Sequence, residues 1–197
     1  MNTADVLKEF EEAGALTRGH FILSSGLHSD TYLNKSIVSM HPERTERLCR
    51  ALAQKVRAEI GDGVDYVISP AMGAIIYGYE TARWLKVPFM FVERVDGEFR
   101  LRRGFSVPKG ARVLVVEDIV STGLSARECI DAVRKAGGDV VALACFIDRS
   151  DGKADFDTRF IPLAALNVEA WPADRLPPHL VNVPAVKPGS RGVSQSA

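Results

Sequence analysis

Residues 113–125, Val-Leu-Val-Val-Glu-Asp-Ile-Val-Ser-Thr-Gly-Leu-Ser, constrain this chain more than any other stretch. Residues 113–116 are four consecutive β-prone apolar side chains, the pattern of a strand buried on both faces, which belongs in a parallel sheet. Glu117 and Asp118 come where that strand should leave the sheet, so both carboxylates are expected at its carboxyl end, within reach of solvent. Residues 121–125 then supply backbone N–H groups, three hydroxyls and a flexible Gly123, just before a helical pattern over 126–136. A small-residue loop opening a helix is an anion cradle, because the first amides of a helix lack acceptors and its dipole favours negative charge. A ligand that satisfies both halves carries a phosphate at one end and vicinal hydroxyls, donors to carboxylates, one sugar length away: a ribose 5-phosphate. The plainer alternative is a strand-turn-helix whose acids solvate the turn and cap the helix. The chain has neither a G-x-x-x-x-G-K-[ST] loop nor a G-x-G-x-x-G after a strand, which sets aside Walker and Rossmann readings.

The rest of the chain alternates in the same way. Residues 3–13 carry Leu7 and Phe10 on one helical face, with Gly14 as a stop. Extended patterns over 20–23 and 31–38 flank a polar turn at 24–30. Pro42 opens the next helix, where Leu48, Leu52 and Val56 recur four apart as a core stripe until Gly61. Strand and helix then alternate over 66–69, 74–85, 88–93, 112–117, 125–136 and 140–147. That order argues for an α/β fold: a central, mainly parallel sheet with helices on both faces and ligands at the strands' carboxyl ends. Between 93 and 109, Asp96-Gly97 joins two short alternating runs as a hairpin turn would, so a protruding β-hairpin arm is expected there. Beyond Trp171 the chain is rich in proline, and residues 190–197 are expected to form a disordered tail.

At 197 residues and 46% apolar, the chain can bury one full core, so residues 1–189 are read as a single domain. Lys plus Arg and Asp plus Glu are 25 each, which leaves no overall positive field to hold nucleic acid or an anionic membrane, and points to small-molecule ligands. The apolar run 140–147 is too short to span a bilayer, and the first residues lack a basic segment followed by an apolar one. A soluble, cytoplasmic protein is expected. Cys49, Cys129 and Cys145 are odd in number and widely spaced, without C-x-x-C, and read as three reduced thiols.

Residues 113–125 resemble the 13-residue signature of the type I phosphoribosyltransferases, an apolar strand, two acids and a Thr/Ser/Gly-rich phosphate loop, and all 13 positions fit. These enzymes bind phosphoribosyl pyrophosphate (PRPP). The resemblance implies the type I phosphoribosyltransferase fold, with a small N-terminal hood over about 1–40 and the arm over about 93–109. It also implies that Glu117, Asp118, Ile119, Val120, Ser121, Thr122, Gly123, Leu124 and Ser125 hold PRPP.

Three further pieces narrow the resemblance. Residues 69–74, Ser-Pro-Ala-Met-Gly-Ala, end a strand and open a helix, so their amides can face the same cleft; alone they read equally as a plain connection. In the family this loop holds the pyrophosphate, which implies Ala71, Met72 and Gly73 as its partners, joined by Arg94 from the arm. Gly73 permits unusual dihedrals or a close backbone approach. Residues 19–34 resemble the Ser-Gly-x-x-Ser-x-x-Tyr hood segment of the orotate phosphoribosyltransferases, which closes over the pyrimidine ring and implies Tyr32 and Leu33 at the base. Without it, Tyr32 reads as a core aromatic and His28 as a surface residue. Arg149, after Phe-Ile-Asp, can grip a flat carboxylate through two parallel hydrogen bonds. The resemblance gives it the orotate carboxylate, with Ser121 also touching the base; the alternative is a surface salt bridge with Asp148 or Asp151.

The chain departs from its relatives in one respect. Many orotate enzymes carry lysines in the hood, the pyrophosphate loop and a mobile arm, where this chain has Ser24, Gly73 and Glu93-Arg94-Val95-Asp96-Gly97. Arg100, Arg102 and Arg103, with Arg94, are the candidates to cover the pyrophosphate, across a homodimer interface as in the family. The implied reaction transfers the phosphoribosyl group of PRPP to a ring nitrogen of orotate, giving orotidine 5′-monophosphate and pyrophosphate. Mg2+ is the implied cofactor, carried mainly by PRPP, with no direct protein ligand assigned. A purine or other base phosphoribosyltransferase, or a PRPP-binding regulator with little turnover, stays open as an alternative.

Overall fold

The computed structural model describes residues 1–23 and 25–188. Ser24 and the tail at 190–197 lie outside the described residues. Helix α1 (Thr3–Glu12) starts from a reciprocal cap, in which the Asn2 side chain accepts from the Asp5 amide and the Asp5 carboxylate from the Asn2 amide. Strands β1 (Leu16–Ile22) and β2 (His28–Leu33) pair antiparallel as a separate two-stranded sheet. The extended pattern expected over 31–38 holds only to Leu33. There the Asn34 side chain accepts from the Ser36 amide at 3.2 Å and starts a short helix, α2 (Lys35–Ser39), because a local cap satisfies an amide that a strand would leave to solvent. Helix α3 (Pro42–Ile60) has proline in its first turn, buries Leu48, Leu52 and Val56, and closes at Gly61 with φ 67°.

The alternating part follows as β3 (Tyr66–Pro70), α4 (Ile75–Leu85), β4 (Phe89–Val95), β5 (Glu98–Leu101), β6 (Arg112–Val120), α5 (Leu124–Lys135), β7 (Asp139–Asp148) and β8 (Arg159–Ala165). The six strands lie in the order β5-β4-β3-β6-β7-β8, and every pair is parallel except β4 with β5. The α/β architecture is therefore as expected. The hairpin forms at Asp96 and Gly97, both at positive φ as the tight turn requires, and β5 becomes one edge of the sheet. Strand β8, which no expectation covered, is the other edge.

The two-residue period of β6 divides the core. Leu114 and Val116 pack with α1, α3 and α4 on one face, and Val113 and Val115 pack with α5 on the other. The segment after β8 returns to the small sheet: Trp171 pairs with His28, and Val186 lies beside Phe21. His20 Nδ1 donates to the Val183 carbonyl at 2.7 Å, which leaves its Nε2 to accept from His28 Nδ1 at 2.6 Å. His28, read from sequence as a surface residue, is thus half-buried and helps tie the C-terminal segment to the hood.

Candidate active site

The chain leaves β3 toward one edge of the sheet and returns to β6 to build the other, so the loops after these two strands diverge and open a crevice at their carboxyl ends. Glu117 and Asp118 do not stand beyond the strand as expected. β6 runs on to Val120, and the two acids are only 7% and 3% exposed. Adjacent strand residues point to opposite faces, so the pair serves two cavities: Glu117 lines one with the 121–125 loop, and Asp118 lines another beneath the hood. Burial pushes the Glu117 carboxyl up to about 7, and the charge of Asp118 adds to this; the Ser125 hydroxyl and the Lys35 ammonium act in the opposite sense.

Residues 119–126 and Glu117 enclose about 70 Å³, a little over two waters at ~30 Å³ each. That is room for one phosphoryl group. The loop holds its shape through Gly123, the N-cap of α5, at φ 75°. A Cβ at Gly123 would lie 2.9 Å from the Phe156 ring and 3.0 Å from Arg127 Nη1, so both space and dihedral demand glycine. Arg127 clamps the turn by donating to the Thr122 carbonyl and, at 3.0 Å, to the Asp155 carbonyl, while it stacks on Phe156. No side chain caps α5. The amides of Ser125 and Ala126, in its first turn, therefore have no intrahelical acceptor and face the cavity.

The second cavity, of about 310 Å³, is lined by Tyr32, Leu33, Lys35, Asp118, Ser121 and Arg149, among others. All four residues expected at the base therefore meet in one place. Tyr32, whose other reading was a core aromatic, is half-buried at the cavity wall, its ring centroid 5.6 Å from that of Phe21. Arg149 is fixed by its amide, which donates to the Val120 carbonyl at 2.7 Å. Its guanidinium has no ion-pair partner among the described residues, and its buried Nε has no acceptor there. The alternative salt bridge does not form: Asp148 accepts from the Ser150 amide at 2.8 Å, and Asp151 pairs with Lys153 at 3.0 Å. Burial without a counter-ion lowers the Arg149 pKa. A half-buried guanidinium kept free at a cavity wall is a site waiting for an anion.

The 69–74 loop faces the same crevice. A Cβ at Gly73 would sit 2.5 Å from Asp118 Oδ2 and 2.8 Å from Lys35 Nζ, and the φ of Gly73 is not positive. Of the two reasons sequence offers for glycine here, close approach is the one that applies. Ala71 is the weakest of the three residues assigned to this loop, because its amide already donates to the Val92 carbonyl at 2.8 Å. The amides of Met72 and Gly73 have no acceptor among the described residues, so they are free to donate. Lys35, which forms an ion pair with Asp118, was not foreseen, because nothing local to it signals a partner 83 positions away.

Within this chain the arm arginines lie outside both cavities. Arg94 pairs with Glu128 and stacks 4.2 Å over Phe99. Arg103 makes two 2.8 Å hydrogen bonds to Glu93, and Arg100 pairs with Glu98 at 3.3 Å. Arg102 is exposed and lines neither cavity. Each of the three paired arginines meets a nearby glutamate, on α5, on its own strand or on β4, and so does not extend toward the cleft between β3 and β6.

A parallel sheet whose switch point carries two buried acids, an amide-lined loop and a free guanidinium belongs to the α/β proteins that hold phosphorylated sugars. Comparison with known proteins agrees: the family described as phosphoribosyl transferase domain matches residues 40–172. Orotate phosphoribosyltransferases from Parvibaculum lavamentivorans and Caulobacter vibrioides are 59% and 60% identical, over 98% and 97% of this chain and 100% and 98% of theirs. Among solved structures, the orotate phosphoribosyltransferase of Aeropyrum pernix superposes with TM-score 0.69 at 25% identity, over 82% of this chain and 93% of that one. That of Mycobacterium tuberculosis, in complex with inorganic phosphate, gives 0.66 at 25% identity, over 83% and 96%. The chain belongs to the orotate phosphoribosyltransferases, within the phosphoribosyltransferase family.

Proposed function

We propose that this protein transfers the phosphoribosyl group of PRPP to orotate, giving orotidine 5′-monophosphate and pyrophosphate in pyrimidine biosynthesis. The observation that carries this reading is Arg149, unpaired among the described residues and in one 310 Å³ cavity with Tyr32, Leu33, Ser121 and Asp118. Of the common bases, one bearing a carboxylate is what a free guanidinium selects. The ribose 5-phosphate half of PRPP puts its phosphate on the Ser125 and Ala126 amides and its hydroxyls on Glu117 and Asp118. Orotate lies under the hood with its carboxylate on Arg149. Attack of a ring nitrogen on the anomeric carbon breaks the bond to pyrophosphate, whose free end rests on the amides of Met72 and Gly73. Orotate can react as its anion, so no strong base is needed, and catalysis consists of orientation and of neutralising the leaving group.

The cleft suits magnesium in a limited way. Glu117 and Asp118 are hard oxygen donors beside a phosphate site, and no cluster of three or more His, Cys, Asp or Glu forms a cage among the described residues. Substrate phosphates would therefore supply most of the coordination, and bound there the ion neutralises the pyrophosphate.

The homodimer has a surface to form on. Met40, Met72, Ile76 and Tyr79 are 50% or more exposed around a 440 Å³ groove that includes Pro42, Phe89 and Phe91. Arg103 stands over the Phe91 ring at the rim of this groove, where it and Arg102 can approach a partner's cleft even though they do not reach their own. No helix among the described residues is long and apolar enough to cross a membrane. The test is to mix the protein with PRPP, magnesium and a panel of free bases, and to follow pyrophosphate release. Orotate alone should react; reaction with adenine or guanine instead, or binding of PRPP without turnover, would replace this reading.

A further inference from the structure

The ion pair between Lys35 and Asp118 is placed too carefully to be incidental. Asp118 is 3% exposed, yet its partner comes from a different element and reaches it through the cleft. The backbone around Lys35 is pinned on three sides. Its carbonyl accepts from the hydroxyl of the buried Tyr77 at 2.7 Å, the Asn34 amide donates to the Ala15 carbonyl at 2.7 Å, and the Asn34 side chain caps α2 at Ser36. The tip of Lys35 also fills the space above Gly73: a Cβ there would meet Nζ at 2.8 Å and Cε at 3.1 Å. Glycine at 73 thus admits an ammonium from the hood against the backbone of the second anion loop. Of the charged side chains named for the pyrophosphate, Arg94, Arg100 and Arg103 are paired outside the cleft.

We propose that Lys35 is a substrate-contacting residue that binds the pyrophosphate group of PRPP from the Gly73 side. This rests on the function proposed above. In the empty cleft the ammonium neutralises Asp118. When the sugar donor enters, its ribose hydroxyls donate to Asp118 and take over that carboxylate. Lys35 then exchanges one anion for another, and its nearest alternative is the pyrophosphate held by the amides of Met72 and Gly73. As the bond from the anomeric carbon to oxygen breaks, the electron pair leaves on the pyrophosphate oxygen, and the ammonium stabilises that charge without giving up a proton. A lysine suits this exchange, being a point charge on a flexible stem.

The test uses the full-length protein with Lys35→Met, which keeps the stem and removes the charge. PRPP affinity and turnover with orotate should each fall about 100-fold. Affinity for orotidine 5′-monophosphate, which lacks pyrophosphate, should change less than about threefold. Equal losses for both ligands, or no loss for either, would overturn the proposal, the first by showing that Lys35 acts only through Asp118. A second measurement needs no variant: magnesium and PRPP should slow amine labelling of Lys35 in the wild-type protein, read by mass spectrometry. Labelling unchanged by PRPP would overturn the proposal too. A wild-type protein inert toward orotate would instead fault the function, while the labelling result would still judge Lys35.

Discussion

Arg149→Met separates function from stability more sharply than any other substitution. The guanidinium is half-buried, has no counter-ion among the described residues and is lined up with the cavity under the hood. If it grips the orotate carboxylate through two charge-assisted hydrogen bonds of about 1.5–3 kcal/mol each, its loss costs roughly 3–6 kcal/mol, or about two to four and a half powers of ten. That loss should fall on kcat/KM for orotate, while the Kd for PRPP stays within about threefold. Folding should respond in the opposite direction. Methionine keeps most of the apolar stem and removes a charge whose desolvation nothing offsets in the free protein, so stability should rise by about 0.5–2 kcal/mol. For a chain of this size each kcal/mol moves Tm by about 2–4 °C. Steady-state assays with orotate varied at saturating PRPP, beside thermal melts without ligand, read both effects. A variant that keeps its orotate kinetics, or one whose Tm falls by several degrees, would show that the guanidinium has a structural partner and not a ligand.

Three other outcomes follow from the same geometry. The folded state favours protonated Glu117, so this contribution to stability is full below about 4.5 and is lost as pH rises through about 7. Moving a carboxyl from 4.5 to about 7 corresponds to roughly 3 kcal/mol, so Glu117→Gln should be the more stable protein at pH 8 by up to that amount and should match wild type only near pH 4; parallel melting curves across that range would refute it. Gly123→Ala forces a Cβ to within 2.9 Å of Phe156 at a positive φ that alone costs an L-residue about 1–2 kcal/mol, so affinity for ribose 5-phosphate should drop at least about tenfold in calorimetry. Ile76→Glu places a charge in the exposed apolar face, so if the proposed homodimer forms there the variant should sediment as a monomer where the wild type sediments as a dimer, with turnover falling in parallel.

Local chemistry was readable wherever a short segment carries its own physical reason. The run 113–125 announced strand, small-residue loop and helix start together, and Pro42, Gly61 and the four-residue stripe of α3 marked a helix end to end. Asp96-Gly97 gave the hairpin for the same reason. What escaped depends on partners distant in sequence. Glu117 and Asp118 looked terminal because carboxylates rarely continue a buried strand, yet β7 pairs with β6 as far as Val120 and holds them in the sheet. Strand β8 carries Pro162, which masks its pattern, and it exists because β7 offers an edge. The strap that pairs Trp171 and Val186 with the hood joins residues more than 140 positions apart, and no local periodicity encodes that. Lys35 is the most instructive omission. Its role depends on the lack of a side chain at residue 73, and the two positions meet only once the hood has folded over the sheet.

The central claim is that one cleft holds the phosphate, ribose and carboxylate of a single nucleotide on three separate elements. A crystal structure of the protein bound to orotidine 5′-monophosphate tests it directly. The account predicts the phosphate on the Ser125 and Ala126 amides, ribose hydroxyls on Glu117 and Asp118, and the base carboxylate forked on Arg149 beneath Tyr32. A nucleotide bound with Arg149 facing water, or with its phosphate anywhere but the 121–126 turn, would contradict it.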